Sequence, residues 1–250
     1  MMIRRAPAAP LAGRVTSYYG FEVGAPQPVR QREGPGADVV VILTFEEHWL
    51  IDGDRHTSFV AGLHDRQVTT EHPGRSLGMQ INLEPLAARA LVGAPLHELA
   101  GRVVPLDQVL DGAVVERLAD TGDWDSRFAL LDATLAPRLA DSRPSPEVSW
   151  AWRRLRVTHG RVAIGELAAE LGWSRKRIVA RFRDEIGLPP KAVARLLRFE
   201  HARELAGTMS WGELAFECGF SDQPHLIAEF RRITGRTPET FLQDTVTQAA

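Results

Sequence analysis

The ten residues GELAAELGWS (165–174) return as GELAFECGFS (212–221), with only three letters changed. The offset is 47 within this stretch and becomes 48 after Ser221, so that Phe182 matches Phe230, Gly187 matches Gly235 and Pro190 matches Pro238. A whole supersecondary unit is therefore written twice. In the first copy, IGELAAEL has the apolar spacing of a two-turn amphipathic helix. Gly172 follows, where a left-handed backbone costs glycine little. Ser174 has the chemistry to cap a second helix, SRKRIVARFRDEI. At 100° per residue that helix gathers Ile178, Val179, Phe182 and Ile186 on one side, and Lys176, Arg177, Ala180, Arg181 and Asp184 on the other. The second copy repeats the plan, with Gly219 at the turn. Leu226, Ile227, Phe230 and Ile233 face inward; Pro224, His225, Ala228 and Arg232 face outward. A short helix, a glycine turn and a second helix with a greasy inner and a polar outer face predict a helix-turn-helix.

The distance between the copies then has a purpose. A helix expected from Pro190 to about Ala206 spans roughly 25 Å at ~1.5 Å per residue. With the half-widths of the flanking units, the two second helices (about 174–186 and 222–233) come to lie about 34 Å apart, one turn of duplex DNA. One chain could thus enter two successive major grooves. The candidate DNA-binding residues are Ser174, Arg175, Lys176, Arg177, Ala180 and Arg181 in the first unit. In the second they are Ser221, Gln223, His225 and Arg232. Arg and Lys suit guanine and Gln suits adenine, whereas other members of the set hold phosphates.

The duplicated unit resembles the DNA-binding domain of the AraC/XylS family of bacterial transcription regulators, above all in AFECGFSDQPHLIAEFRRITGRTPETF (215–241). The likeness covers roughly residues 145–242. It implies seven helices, a long helix bridging two helix-turn-helix units, and an N-terminal sensing or dimerisation domain. It departs from the family at Ala180 and Ala228, where basic residues are frequent, and so shifts weight to Lys176, Arg177 and Gln223.

The rest of the chain reads differently. Residues 15–83 are β-rich: VVVILTF (39–45) suits a buried strand, Asp52-Gly53-Asp54 a hairpin turn, and GLHDRQVTT (62–70) and LGMQINL (77–83) further strands. From Glu84 the period turns helical. DSRPSPE (141–147), with two prolines and two serines, marks a domain boundary. The expected fold is α+β. Residues 1–143 form a β-rich, cupin-like barrel with a helical connector at about 105–140. Residues 144–250 form an all-α domain of seven helices. The first part carries 14 Lys and Arg against 19 Asp and Glu, the second 16 against 13. DNA contact therefore belongs to the second.

Other motifs weigh less. His48, His56, His64 and His72 recur every eight residues and could line one barrel wall. The close histidine pair of a cupin metal site is missing, so neither a metal nor another cofactor is expected. Cys218 occupies the place of Leu171 in the repeat and reads as a small buried hydrophobe. No nucleophile elbow, phosphate loop or dinucleotide fingerprint is present. A lone cysteine, no signal-like apolar run and a longest apolar stretch of Val39 to Leu43 point to the cytoplasm. The expected partners are a double-stranded DNA operator, a small-molecule effector or a second subunit at the first domain, and RNA polymerase if the protein is an activator; no membrane is expected. The competing function is a metal-dependent cupin-like barrel enzyme with an accessory helical domain.

Overall fold

A computed structural model describes residues 1–45, 47–140 and 142–242. Among the described residues there are ten strands, nine of them ahead of the first α-helix: β1 (Met2–Arg5), β2 (Val15–Gly24), β3 (Val29–Glu33), β4 (Val39–Thr44), β5 (Trp49–Ile51), β6 (Asp54–His56), β7 (Phe59–Ala61), β8 (Val68–His72), β9 (Arg75–Leu83) and, after that helix, β10 (Val103–Pro105). They form two antiparallel sheets, one in the order β1-β2-β9-β4-β7-β10 and one in the order β3-β8-β5-β6. The hairpin at Asp52-Gly53 forms as expected, with both residues at positive φ (50° and 96°) between β5 and β6. Such a two-residue loop matches the twist of its strands.

The run VVVILT is apolar throughout because both faces of β4 are covered. Val39, Val41 and Leu43 join a large core shared with helices, whereas Ile42 joins Phe21, Ile51 and Phe59 between the two sheets. Trp49 lies in that inter-sheet cluster, 5.7 Å from Phe21, 6.2 Å from Phe59 and 5.1 Å from His72 between ring centroids. Trp49 and Phe59 thus serve as packing between the sheets.

The expected strand over 62–70 is shorter than its alternation suggests. Regular pairing starts only at Val68, and residues 62–67 form a loop. Its backbone groups bond elsewhere: Gly101 N–H donates to Leu63 C=O and Gln67 N–H to Ile233 C=O. Polar alternation here reflects a docked loop, not a half-buried strand.

Nine helices follow the strand-rich start among the described residues: α1 (Pro85–Val92), α2 (Ala113–Asp120), α3 (Trp124–Ala140), α4 (Pro146–Val157), α5 (Ile164–Glu170), α6 (Arg175–Glu185), α7 (Pro190–Leu205), α8 (Trp211–Glu217) and α9 (Gln223–Thr234). A further helical stretch opens at Pro238, the start of the seventh helix expected in this half. The caps are legible in the letters. Ser145 accepts from Val148 N–H at 3.2 Å. Ser210 and Glu213 complete a reciprocal capping box, which satisfies two end donors at once.

The Pro- and Ser-containing stretch at 142–147 is not a slack tether. Ser145 N–H donates to Glu185 at 2.8 Å, and Trp152 Nε1 donates to both oxygens of Glu84 at 3.0 and 2.9 Å. One apolar core runs from the six-stranded sheet through α3 and α4 into α5, α6 and the first half of α7. A second, separate core holds Phe199, Ala202, Leu214, Ala215, Cys218, Phe220, Leu226, Phe230 and Ile233. Cys218 is fully buried, and burial pushes its thiol up to about 11. A thiol reagent at neutral pH should therefore label the native protein only as fast as the second unit opens, and the denatured protein at once. Fast labelling of folded protein would contradict this packing.

Candidate nucleic-acid interface

Both repeats fold as helix, turn, helix. In the first, α5 ends at a turn whose Gly172 has φ 63°. Ser174 then caps α6, its hydroxyl accepting from Arg177 N–H at 3.2 Å. Ile178, Phe182 and Ile186 are fully buried. Arg175, Lys176, Arg177 and Ala180 are exposed on the opposite, N-terminal side. The Arg177 guanidinium lies 4.6 Å from the Trp173 ring centroid, a stack that limits its freedom while leaving its donors available.

Arg181 sits on the same helix in a different setting. It pairs at 2.7 Å with Glu185, whose side chain is 3% exposed. Glu185 also accepts the Ser145 N–H. Arg181 thereby compensates a buried carboxylate, and removing it would leave that charge unmatched.

In the second unit Gly219 takes the turn at φ 72°. The extra residue that changes the repeat offset moves the cap. Asp222, not Ser221, accepts the first helical donor, from His225 N–H at 2.7 Å. An Asp followed two residues later by proline is a helix-start signal in its own right, and sequence reasoning missed it. Ser221 is exposed, its hydroxyl 3.1 Å from Nδ1 of His225, and the imidazole stands edge-on to Phe220. Gln223 is exposed at the first turn of α9, as is Ala228 farther along. Arg161 and Arg198, neither of them a sequence candidate, donate to the carbonyls of Glu217 and Gly219. They close the C-terminal end of α8.

Arg232 has a different engagement. It pairs with Asp65 of the sheet domain at 3.3 Å and with Glu229 at 3.2 Å. Asp65 also meets Arg195 on α7 at 3.4 Å. In the first unit, Asp184 stands at the matching repeat position and pairs with Arg89 of α1 at 3.2 Å. Gly187, just beyond α6, lies against the Leu96 backbone. The sheet domain therefore touches the C-terminal turns of α6 and α9 and leaves both N-terminal turns open.

The four histidines do not gather. His72 is buried against Trp49, His56 lies tilted against Phe59, and His64 points Nδ1 at the Gly62 carbonyl. Among the described residues no group of three or more His, Cys, Asp or Glu is placed to hold a metal. No helix among them is long and apolar enough to cross a membrane.

Residues 167–244 match a family model described as a helix-turn-helix domain. The C-terminal half carries an AraC-type DNA-binding domain. Domains of this type belong to transcription regulators, not to enzymes. Residues 3–105 match a second model, described as a domain of unknown function, DUF6597. No curated protein matches the chain. Among solved structures, an apo ToxT variant from Vibrio cholerae aligns over 91% of this chain and 97% of its own, at 10% identity and a TM-score of 0.50. That likeness is one of fold, a β-rich N-terminal part followed by helices. The C-terminal domain of AraT, a response regulator from Geobacillus stearothermophilus, aligns with 41% of this chain and 88% of its own at 21% identity, TM-score 0.38. The xylose-binding transcription activator XylR aligns with 42% of this chain and 29% of its own at 25% identity, TM-score 0.35.

Proposed function

We propose that this regulator binds a specific duplex operator by placing α6 and α9 in successive major grooves. The observation that carries the proposal is the matched exposure of the two N-terminal helix turns, at equivalent positions of an AraC-type domain. Their opposite ends are packed. The sixteen residues of α7 span about 24 Å, which with the flanking half-widths suits one duplex turn. Lys176 and Arg177 in α6 and Gln223 in α9 are assigned to base edges, and Arg175 to phosphate. Ser174 and Ser221, at the helix starts, are assigned to phosphate, which the helix dipoles also favour. Arg181, His225 and Arg232 are assigned to holding the reading helices and to the phosphate flank.

In this proposal residues 1–143 modulate binding, through a small-molecule effector or a second subunit, and residues 144–250 bind DNA in the cytoplasm. Were the protein an activator, RNA polymerase would be a further partner. Selection from random duplex DNA tests the proposal. The expected product is a motif of two half-sites about one helical turn apart, bound with steep salt dependence. Recovery of no preferred sequence at low salt would defeat it.

A further inference from the structure

The two apolar cores meet at a single helix. The first half of α7 gives Val193, Ala194, Leu196 and Leu197 to the large core. Its second half gives Phe199 and Ala202 to the core of the second unit. The pose of one core relative to the other is therefore set along this one helix and by the bonds that brace it. The second half of α7 spans about 12 Å, so a tilt of about 16° there displaces the tip by roughly 3.4 Å, the rise of one base pair.

Asp65 lies across that joint. Its Oδ2 reaches Arg195 on the near half of α7 at 3.4 Å and Arg232 on α9 at 3.3 Å. The neighbouring Gln67 N–H donates to the Ile233 carbonyl at 2.8 Å. The first unit needs no such staple, because its core is continuous with the sheet domain. It still carries the equivalent pair, Arg89–Asp184, with the signs reversed.

We infer that Asp65 is a positioning residue for DNA binding: it fixes the distance and phase of α9 relative to α6, and through them the half-site spacing the protein accepts. This rests on the proposal that both helices enter the duplex together. Simultaneous engagement of two sites is lost when geometry forbids it, so a stiff pair of heads discriminates spacing and a loose pair does not.

Two measurements test it on the full chain. Affinities are compared for operators whose half-sites are moved by one base pair in either direction. The unaltered protein should lose about tenfold or more on the displaced sites, and Asp65→Ala less than about threefold, with a weaker cognate complex. Asp65→Glu, which keeps the charge, should restore the discrimination. Without DNA, spin labels at Ala169→Cys and Phe216→Cys report the distance between the units. These are equivalent positions of the repeat and both are exposed, whereas native Cys218 is buried. The distance distribution should be narrow in the parent, broad in Asp65→Ala and narrow again in Asp65→Glu. An unchanged distribution overturns the inference. So does an equal rise in affinity at every spacing, the mark of a contact that merely occludes. A parent protein that binds no duplex at all would remove the DNA proposal instead, and the label distances would still decide the staple.

Discussion

The double substitution Lys176→Ala/Arg177→Ala should weaken operator binding by at least about 2 kcal/mol, some thirtyfold, measured by titration at fixed salt. Both side chains are exposed on the first turn of α6 and neither belongs to the core. The melting temperature should therefore move little. Part of the loss is electrostatic. Each phosphate contact removed should flatten the slope of log affinity against log salt by about 0.9. The remainder is sequence-specific. A cationic side chain that reads guanine contributes about 1–3 kcal/mol of discrimination, so the mutant should also accept base changes in that half-site. The stack of Arg177 on Trp173 makes Arg177 the better ordered of the two, and Arg177→Ala alone should account for more of the lost discrimination. Unaltered affinity in the double mutant would remove α6 from the interface.

Phe230→Ala should cost about 3–5 kcal/mol, the usual penalty for emptying an aromatic site in a closed core. The equivalent Phe182→Ala should cost a similar amount, but the two should unfold differently. Phe230 lies in the small core of the second unit, edge-to-face with Phe199 at 4.9 Å and 6.0 Å from Phe241 between ring centroids. Phe182 lies in the core that continues into the sheet domain. Loss of Phe230 should thus melt α8 and α9 ahead of everything else, giving two thermal transitions and early amide exchange confined to residues after about 205. Loss of Phe182 should lower one cooperative transition for the sheet domain and first unit together. Identical single transitions for both mutants would mean that the cores are energetically one.

The attachments between the second unit and the sheet domain are polar and half-exposed: the Asp65 side chain is 42% exposed and that of Arg232 34%. Such pairs contribute roughly 0–1 kcal/mol each. They orient the unit without welding it, whereas the apolar continuity around α6 makes the first unit part of the main body.

The letters alone determined the duplication, both glycine turns, the buried faces of α6 and α9, the hairpin at Asp52-Gly53 and the cap at Ser174. These depend on interactions within a few residues or on helical period, and so are written locally. The same local rules failed at residues 62–67, where alternation of apolar and polar letters suited a strand. That loop takes its conformation from α9, whose Arg232 lies 167 positions from Asp65. Only the tertiary structure decided which outward arginines are engaged. Arg181 answers the buried Glu185, and Arg232 answers Asp65, while Arg177 stays open. On the wheels of α6 and α9 all three face outward. A period fixes the side of a helix; Glu185 stands one turn from Arg181, but its burial comes from packing, and the partner of Arg232 comes from a segment 167 positions away, so no run of neighbouring residues encodes either engagement.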